Sequence, residues 1–196
     1  MEVDIYDFDK TIVPFDSGSK FVLFCALHYP WTLITLPLTG IAFLLAYIGI
    51  IDFTKFKKVC FLFVALIPLH KAVEKFWNKH EKDVFAWVKE KNRHRVIISA
   101  SPDFLLTEIA SRLDFDKLIC SLHSSRTGAI KSRNCNKEEK VRRFYELYDK
   151  ETVRVIDVYS DSLHYDKPIF SLAENMCYNI VDGKRIPFKY SEKYKD

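Results

Sequence analysis

Short apolar segments alternate with segments of helical spacing over much of the chain, and this alternation constrains the fold more than any other feature. The later apolar segments are separated by helical patterns at 101–113 and 137–149 and by a short one at 169–174. Strands that alternate with helices form a parallel sheet covered by helices on both faces. The sequence therefore predicts an α/β fold built on such a sheet. The expected strands are VDIYDF (3–8), RVIISA (95–100), KLICSL (117–122), VRVIDVYS (153–160) and MCYNIV (176–181).

A long interruption separates the first two strands. Residues 18–85 carry helical and apolar patterns, including an amphipathic stretch that we expect to run as a helix over 70–91. We therefore predict a core formed by residues 1–17 and 86–196, with a helical, apolar cap at 18–85. The tail from residue 186 onward is polar and is predicted to be frayed.

Composition excludes several classes of protein. The 196 residues carry a net charge of +4, but the basic residues are scattered, so we expect no nucleic-acid partner. Five cysteines occur without a CxxC pair, which argues against a disulfide framework or a zinc site and favours a reducing, cytoplasmic setting. The mild basic bias suits an anionic substrate and an anionic membrane surface equally well.

Reactive side chains follow the predicted strands at the points where they end. In an open α/β sheet, ligands bind beyond the carboxyl ends of the strands, so we expect these groups to converge. Neighbouring carboxylates repel each other, and a divalent cation would relieve that repulsion. Carboxylates together with a hydroxyl and an ammonium group suit phosphoryl transfer. The residues are Asp7 and Asp9 at the end of the first strand, Ser99 at the end of the second, Lys140 in a helical first turn, and Asp161 and Asp166 at and beyond the end of VIDVYS.

The ordered set of motifs resembles the haloacid dehalogenase (HAD) superfamily of phosphohydrolases. DFDKT resembles its DxDxT motif, and IIS resembles the apolar strand that ends in Ser or Thr. NCNKEEKV supplies the lysine motif, and YSDSLHYD resembles the acidic fourth motif. The resemblance implies a Rossmann-like sheet with a cap inserted after the first strand. The insert and the details of the later motifs resemble the phosphoserine phosphatase-like branch (subfamily IB), and YSDS also resembles phosphatidylglycerophosphate phosphatases of C type.

The resemblance also implies a role for each acidic position. Asp7 would be the nucleophile that forms an aspartyl-phosphate, and Asp9 would protonate the leaving oxygen and then activate water. Mg²⁺ would be held by Asp7, by the backbone carbonyl of Asp9 and by Asp161. Asp166 would support the metal or its water ligands.

Two further positions would bind the phosphate of the substrate. By the same resemblance these are Ser99 and Lys140. Ser101 is an alternative to Ser99, because the stretch SAS offers two hydroxyl groups.

The segment 21–51 contains no Lys, Arg, Asp or Glu, and 31–51 is long enough to be a candidate for crossing a membrane. Asp7 precedes it, whereas Lys140 and Asp161 follow it, and a single crossing would separate them by roughly 30 Å of hydrocarbon. We therefore expect the segment to enter and leave on one side, as a re-entrant or interfacial hairpin. The alternative is a dry cap or a dimer interface. Lysines that would then face anionic headgroups are Lys55, Lys57, Lys58, Lys71 and Lys75.

These features together predict a Mg²⁺-dependent phosphatase that acts on a phosphomonoester through an aspartyl-phosphate. A lipid phosphate such as phosphatidylglycerophosphate is the favoured substrate, with possible membrane contact through 21–69. The expected location is the cytoplasm, at the inner face of the cell membrane. Two alternatives stay open: a soluble phosphatase of a small metabolite such as phosphoserine, and a membrane-surface scaffold with a degenerate site.

Overall fold

A six-stranded sheet in the order β3-β2-β1-β4-β5-β6 forms the centre of the protein. The computed structural model describes residues 1–51, 53–90 and 93–194. All neighbouring strands are parallel except β5 and β6, which are antiparallel. The strands are β1 (Glu2–Tyr6), β2 (His94–Pro102), β3 (Lys117–Ser121), β4 (Arg154–Ser160), β5 (Met176–Val181) and β6 (Lys184–Phe188).

Helices cover the sheet and fill the stretch between β1 and β2. Short 3₁₀ segments join several of them, including Pro30–Thr35, which leads directly into a helix, and Leu62–Leu66. The helices are α1 (Ser17–His28), α2 (Leu36–Tyr47), α3 (Phe53–Cys60), α4 (Leu69–His80), α5 (Asp103–Arg112), α6 (Glu138–Leu147), α7 (Lys167–Phe170) and α8 (Tyr190–Lys193).

Alternate residues of β1 enter two separate apolar clusters, one on each face of the sheet. Val3 and Ile5 belong to the cluster that includes Phe144 of α6, whereas Tyr6 belongs to the cluster that includes Trp77 of α4. Side chains alternate between the two faces of a strand, so a sheet buried on both faces needs apolar residues at successive positions. The α/β fold class with a helical insertion after the first strand is confirmed. The division into a core and a cap stays a prediction.

β1 lies at the point where the strand order changes direction. It pairs with β2 on one side and with β4 on the other, so that Tyr6 lies opposite Ile97 and Tyr159. Connections on the two sides of such a strand diverge and leave a crevice at its carboxyl end. The residues that follow Tyr6 therefore enter the best position for a ligand site.

The polar tail is not frayed as predicted from the sequence. β6 pairs antiparallel with β5, and a two-residue turn at Asp182 and Gly183 joins them. Both turn residues have positive φ, 49° and 77°, as a type I′ hairpin turn requires. The Asp-Gly pair was the sequence signal for this hairpin. Residues 195 and 196 of the predicted tail lie outside the described residues.

The amphipathic stretch predicted as one helix over 70–91 is also shorter in the structure. α4 ends at His80, and two 3₁₀ segments follow it, Glu81–Asp83 and Ala86–Lys89. The last residue of the predicted helix, 91, lies outside the described residues. The apolar side chains of this stretch still enter the core, because Val84 and Val88 are buried.

Gly183→Ala is expected to destabilise the protein by about 1–2 kcal/mol, since its backbone is in the left-handed region and an added Cβ would lie 2.5 Å from the Phe85 ring. The measurement is the urea midpoint of unfolding. Gly40→Ala is the matched control, because no atom lies within 4 Å of a Cβ there and alanine favours the helix. Equal midpoints for the two variants would contradict the strained hairpin turn.

Candidate active site

The end of β1 places two aspartates in a tight turn. The backbone N–H of Asp7 donates to the carbonyl of Tyr159 at 2.9 Å, which extends the pairing with β4 by one residue. Beyond it, Lys10 has a positive φ of 55°, and the N–H groups of Thr11 and Ile12 donate to the carbonyl of Phe8. This turn brings Asp9 back beside Asp7.

A buried ammonium group joins Asp7 to the loop after β4. The Nζ of Lys140 lies 2.8 Å from Oδ1 of Asp7 and 2.7 Å from Oδ1 of Asp166, and Lys140 is 3 % exposed. The hydroxyl of Ser160 donates to Oδ2 of Asp166 at 2.5 Å. Lys140 comes from the first turn of α6, so three separate parts of the chain meet at one cation.

The charges of this cluster shift each other's protonation. Burial raises the pKa of Asp7 to about 8, with the Lys140 ammonium opposing the rise and the Asp166 carboxylate adding to it. Burial alone would lower the pKa of Lys140, but the carboxylates of Asp7 and Asp166 outweigh it and raise that pKa. The lysine is therefore held in its charged form, as a phosphate-binding group must be.

Asp9 is held by a separate pair of donors. Its Oδ1 accepts the backbone N–H of Ser17 at 2.8 Å, and its Oδ2 accepts the hydroxyl of Ser101 at 2.5 Å. Removal from solvent raises the pKa of Asp9, and the nearby charge of Asp16 adds to this effect. A carboxyl group that protonates more readily than usual, held in one orientation, is suited to act as a general acid.

The two candidate serines have different partners. Ser101 commits its hydroxyl to Asp9, whereas Ser99 is 1 % exposed and lines the same cleft as Asp7. The hydroxyl oxygen of Ser99 accepts the backbone N–H of Ser101 at 3.2 Å. Ser101 therefore orients Asp9, and which of the two serines binds phosphate stays a prediction.

Asp161 completes the acidic side of the cleft. Its backbone N–H donates to the hydroxyl of Thr11 at 2.9 Å, which ties the loop after β4 to the turn after β1. Burial raises the pKa of Asp161 and the charge of Asp166 adds to it, while Lys10 and Lys140 act in the opposite direction. Burial removes part of the water around the ionised Asp161 carboxylate, so a nearby cation would stabilise its charged form.

All six residues singled out in the sequence line one cleft of about 510 Å³. They were predicted as Asp7, Asp9, Ser99, Lys140, Asp161 and Asp166, and the structure places them together; their individual roles stay predictions. The structure adds positioning residues that the sequence reasoning missed. These are Thr11, Ser17 and Ser160, and the signals for them were the last letter of DFDKT, the start of α1 and the residue before Asp161.

The donor set of the cleft fits a magnesium ion. Five aspartates line the cleft against two lysines, which leaves an excess of negative charge: Asp7, Asp9, Asp16, Asp161 and Asp166 against Lys10 and Lys140. Within the described residues, no group of three or more acidic, histidine or cysteine side chains is arranged to hold a metal alone. Mg²⁺ commonly takes only one or two carboxylates and completes its shell with water and substrate phosphate. Asp7, Asp161 and a backbone carbonyl match that pattern.

The chain matches the family model of the haloacid dehalogenase-like hydrolases over residues 5–170. It therefore belongs to that family and is a hydrolase. The predicted superfamily is confirmed, and the matched residues contain every position of the candidate site.

A curated protein is also similar to part of this chain. Protein CicA of Caulobacter vibrioides is 32 % identical over 101 residues, which are 49 % of this chain and 45 % of CicA. The matched segment thus spans less than half the length of that curated relative.

Solved structures show the same fold at low sequence identity. A protein of unknown function from Bordetella pertussis has a TM-score of 0.69 at 16 % identity, over 87 % of this chain and 86 % of that one. A phosphoserine phosphohydrolase-like protein from Francisella tularensis has a TM-score of 0.55 at 17 % identity, over 91 % and 87 % of the two chains. The chain is thus a haloacid dehalogenase-like hydrolase with the fold of a phosphoserine phosphatase-like protein.

Lys140→Met is expected to lower the free energy of unfolding by about 3 kcal/mol, because it leaves two buried carboxyl groups facing each other without their cation. Urea unfolding at neutral pH measures this change. Adding Asp166→Asn to Lys140→Met should recover part of the loss, since it removes one of the two charges.

Lys131→Met serves as the control, because Lys131 is exposed and its loss should change stability by less than about 0.5 kcal/mol. A Lys140→Met protein as stable as the wild type would show that the buried ion cluster does not hold the site together.

Proposed function

We propose that this protein is a Mg²⁺-dependent phosphatase that hydrolyses a phosphomonoester through an aspartyl-phosphate on Asp7. The single observation that carries the proposal is the arrangement around Asp7. A buried lysine binds one of its carboxylate oxygens, and a second aspartate with its own donors lies in the same cleft. A nucleophile, a phosphate-binding cation and a separate general acid are what a two-step phosphoryl transfer requires.

In the first step, an oxygen of Asp7 attacks the phosphorus, and the bond from phosphorus to the substrate alcohol breaks. Lys140 holds Oδ1 at 2.8 Å, so Oδ2 is the attacking oxygen in this proposal. Asp9 gives its proton to the departing alkoxide, and burial, which raises the pKa of Asp9, favours the protonated form that this step needs. Ser99 and Lys140 bind the oxygens of the transferred group.

In the second step, water attacks the phosphorus of the aspartyl-phosphate. Asp9 accepts the proton of that water, the bond between phosphorus and the Asp7 oxygen breaks, and inorganic phosphate leaves. Mg²⁺ held by Asp7, the backbone carbonyl of Asp9 and Asp161 would neutralise charge on the phosphoryl oxygens and favour the ionised form of Asp7.

The substrate class that we propose is a lipid phosphate such as phosphatidylglycerophosphate. An apolar pocket of about 390 Å³ adjoins the catalytic cleft, and Asp16 and Ala100 line both. Ser101, whose hydroxyl binds Asp9, also lines the apolar pocket, so this pocket lies on the side where the leaving alcohol departs. Its other walls include Val22 of α1 and Phe61.

The charge of this pocket disfavours an amino-acid substrate. Within the described part of the chain, Asp16 is the charged residue among its lining residues, and no lysine or arginine lines it. An amino-acid substrate such as phosphoserine could pair its ammonium group with Asp16, but its carboxylate would meet no lysine or arginine among the described lining residues, and removing it from water would be costly. An apolar leaving group instead gains from burial against the aromatic and aliphatic walls.

Asp7→Asn is expected to reduce Mg²⁺-dependent phosphate release by at least about a thousandfold, since an amide cannot act as the nucleophile. Release of inorganic phosphate from p-nitrophenyl phosphate and from phosphatidylglycerophosphate in detergent micelles measures this. Asp182→Asn is the matched control, because Asp182 is exposed and asparagine tolerates its positive φ. Full activity in Asp7→Asn would refute the mechanism.

Val22→Asp should lower kcat/KM for the lipid phosphate by about tenfold or more, while leaving hydrolysis of p-nitrophenyl phosphate within about twofold. The reason is that the change puts a second carboxylate in a pocket that we assign to the apolar part of the substrate. Val22→Leu, which keeps the side chain apolar, is the control. Equal losses on both substrates, or better turnover of phosphoserine than of the lipid by the wild type, would overturn the substrate assignment but not the chemistry.

A further inference from the structure

Apolar side chains cover the outside of the segment that runs from the 3₁₀ helix Pro30–Thr35 through α2 to Ile50. We call this exposed surface the α2 surface. Of the residues of α2, Ala42 is the buried one, whereas Ile41 is 59 % exposed and Leu44 57 % exposed. Soluble monomers rarely expose a continuous apolar surface of this kind. Its members are Trp31, Leu33, Ile34, Leu36, Leu38, Ile41, Phe43, Leu44, Tyr47, Ile48 and Ile50.

This segment also meets the length and composition of a membrane-spanning helix. Pro30–Tyr47 is long and apolar enough to cross a bilayer, and only 17 % of it is buried in the fold. A core helix of a soluble protein would be mostly buried. The segment is therefore apolar without being part of the core, which calls for an external apolar environment.

We propose that the α2 surface docks the protein on an anionic lipid bilayer, with α2 lying in the plane of the interface. Exposed apolar residues occur at successive positions, such as Phe43 and Leu44, so they point to different sides of the helix. A second copy of the chain would cover one face, whereas lipid surrounds a helix on every side that the protein leaves open. Trp31 and Tyr47, near the two ends of the segment, belong to the residue types that settle at the membrane interface.

The packing of α3 against α2 limits how deeply α2 can enter the bilayer. The ring of Phe56 in α3 lies 5.7 Å from the ring of Phe43 near the middle of α2, so the two helices run side by side. Lys55 precedes Phe56 and is exposed. Upright insertion would carry Lys55 into the hydrocarbon, which is unfavourable for a charged group. A helix that lies parallel to the bilayer, with α3 on its headgroup side, instead places its open apolar sides among the acyl chains and leaves the lysine among the headgroups.

Charge favours an anionic surface over a neutral one. The chain carries a net charge of +4, and Lys71 and Lys75 of α4 are exposed like Lys55. Basic residues close to an anionic leaflet strengthen binding and make it sensitive to salt. The side chains of Lys57 and Lys58, which the sequence assigned to the same role, lie outside the described residues. The location predicted from the sequence, the inner face of the cell membrane, stays a prediction.

Flotation with lipid vesicles tests the proposal without any turnover. The full chain is mixed with vesicles of phosphatidylcholine alone or of equimolar phosphatidylcholine and phosphatidylglycerol. We expect binding to the mixed vesicles, weaker binding to phosphatidylcholine, and a further loss at high salt. Asp7→Asn should float like the wild type, because docking does not need the nucleophile, so failure of the phosphatase proposal and failure of docking are separate results.

A triple variant, Leu38→Gln/Ile41→Gln/Leu44→Gln, removes exposed apolar side chains from the α2 surface. It should bind the mixed vesicles on the order of a hundredfold more weakly. Hydrolysis of p-nitrophenyl phosphate should be unchanged, which shows that the variant is folded. The matched control is the triple variant Leu122→Gln/Leu147→Gln/Ile186→Gln, whose three side chains are 49 %, 53 % and 48 % exposed elsewhere on the protein. The control should bind as the wild type does.

Tryptophan quenching checks that the α2 surface itself touches lipid. Of the three tryptophans, Trp31 is 55 % exposed, Trp77 is fully buried, and Trp87 is partly buried beside Tyr6 and Tyr159 of the sheet. Vesicles with brominated acyl chains should quench the fluorescence of the wild type, and Trp31→Phe should remove that quenching.

Three results would overturn the proposal. The first is that the wild-type chain does not float with the mixed vesicles. The second is that the two triple variants bind these vesicles equally. The third is that the wild-type chain forms a dimer that does not bind vesicles, and that the α2 triple variant is a monomer. The last result would assign the surface to a second copy of the chain.

Discussion

The ammonium group of Lys140, buried between Asp7 and Asp166, is the contact on which the site depends. It draws together the end of β1, the first turn of α6 and the loop after β4, which are far apart in sequence. Buried carboxylates without this cation would repel each other and tend to take up protons. The same ion pair that orders the loops also places a positive charge in the cleft, at the position proposed for the substrate phosphate. Ser160 and Thr11 extend this order by binding Asp166 and the backbone of Asp161.

Topology sets a second constraint, because the inserted helices leave β1 and return to β2 beside it. The contacts of Asp9 join the insert to the sheet, because its carboxylate accepts one hydrogen bond from the start of α1 and one from Ser101 at the end of β2. Because the insert leaves and rejoins the sheet at neighbouring strands, a membrane that the insert contacts must lie on one side of the protein. An apolar segment confined in this way can enter a membrane interface, but it cannot pass through the bilayer once.

The strands and the cleft residues could be predicted from the sequence because each depends on local pattern and on strand order. Asp7 and Asp161 follow strands of the sheet and Ser99 lies near the carboxyl end of β2, and parallel strands bring their carboxyl ends to one edge. The β5–β6 hairpin was missed because polar composition was weighed above the Asp-Gly turn signal. The partners of Asp9 could not be foreseen, since Ser17 and Ser101 are brought together only by the packing of α1 against the sheet. The different partners of Ser99 and Ser101 likewise depend on side-chain geometry that the sequence does not show.

The proposed substrate and the proposed docking surface meet at one residue of α3. Phe56 packs against Phe43 of the α2 surface and also lines the apolar pocket beside the catalytic cleft. A lipid phosphate held in that pocket would thus contact a helix that packs on the one lying in the interface. The phosphate could reach Asp7 while the apolar part of the molecule stays close to the bilayer, so little of it would be exposed to water. This path explains why an apolar insert and a polar phosphatase-like site occur together in one chain.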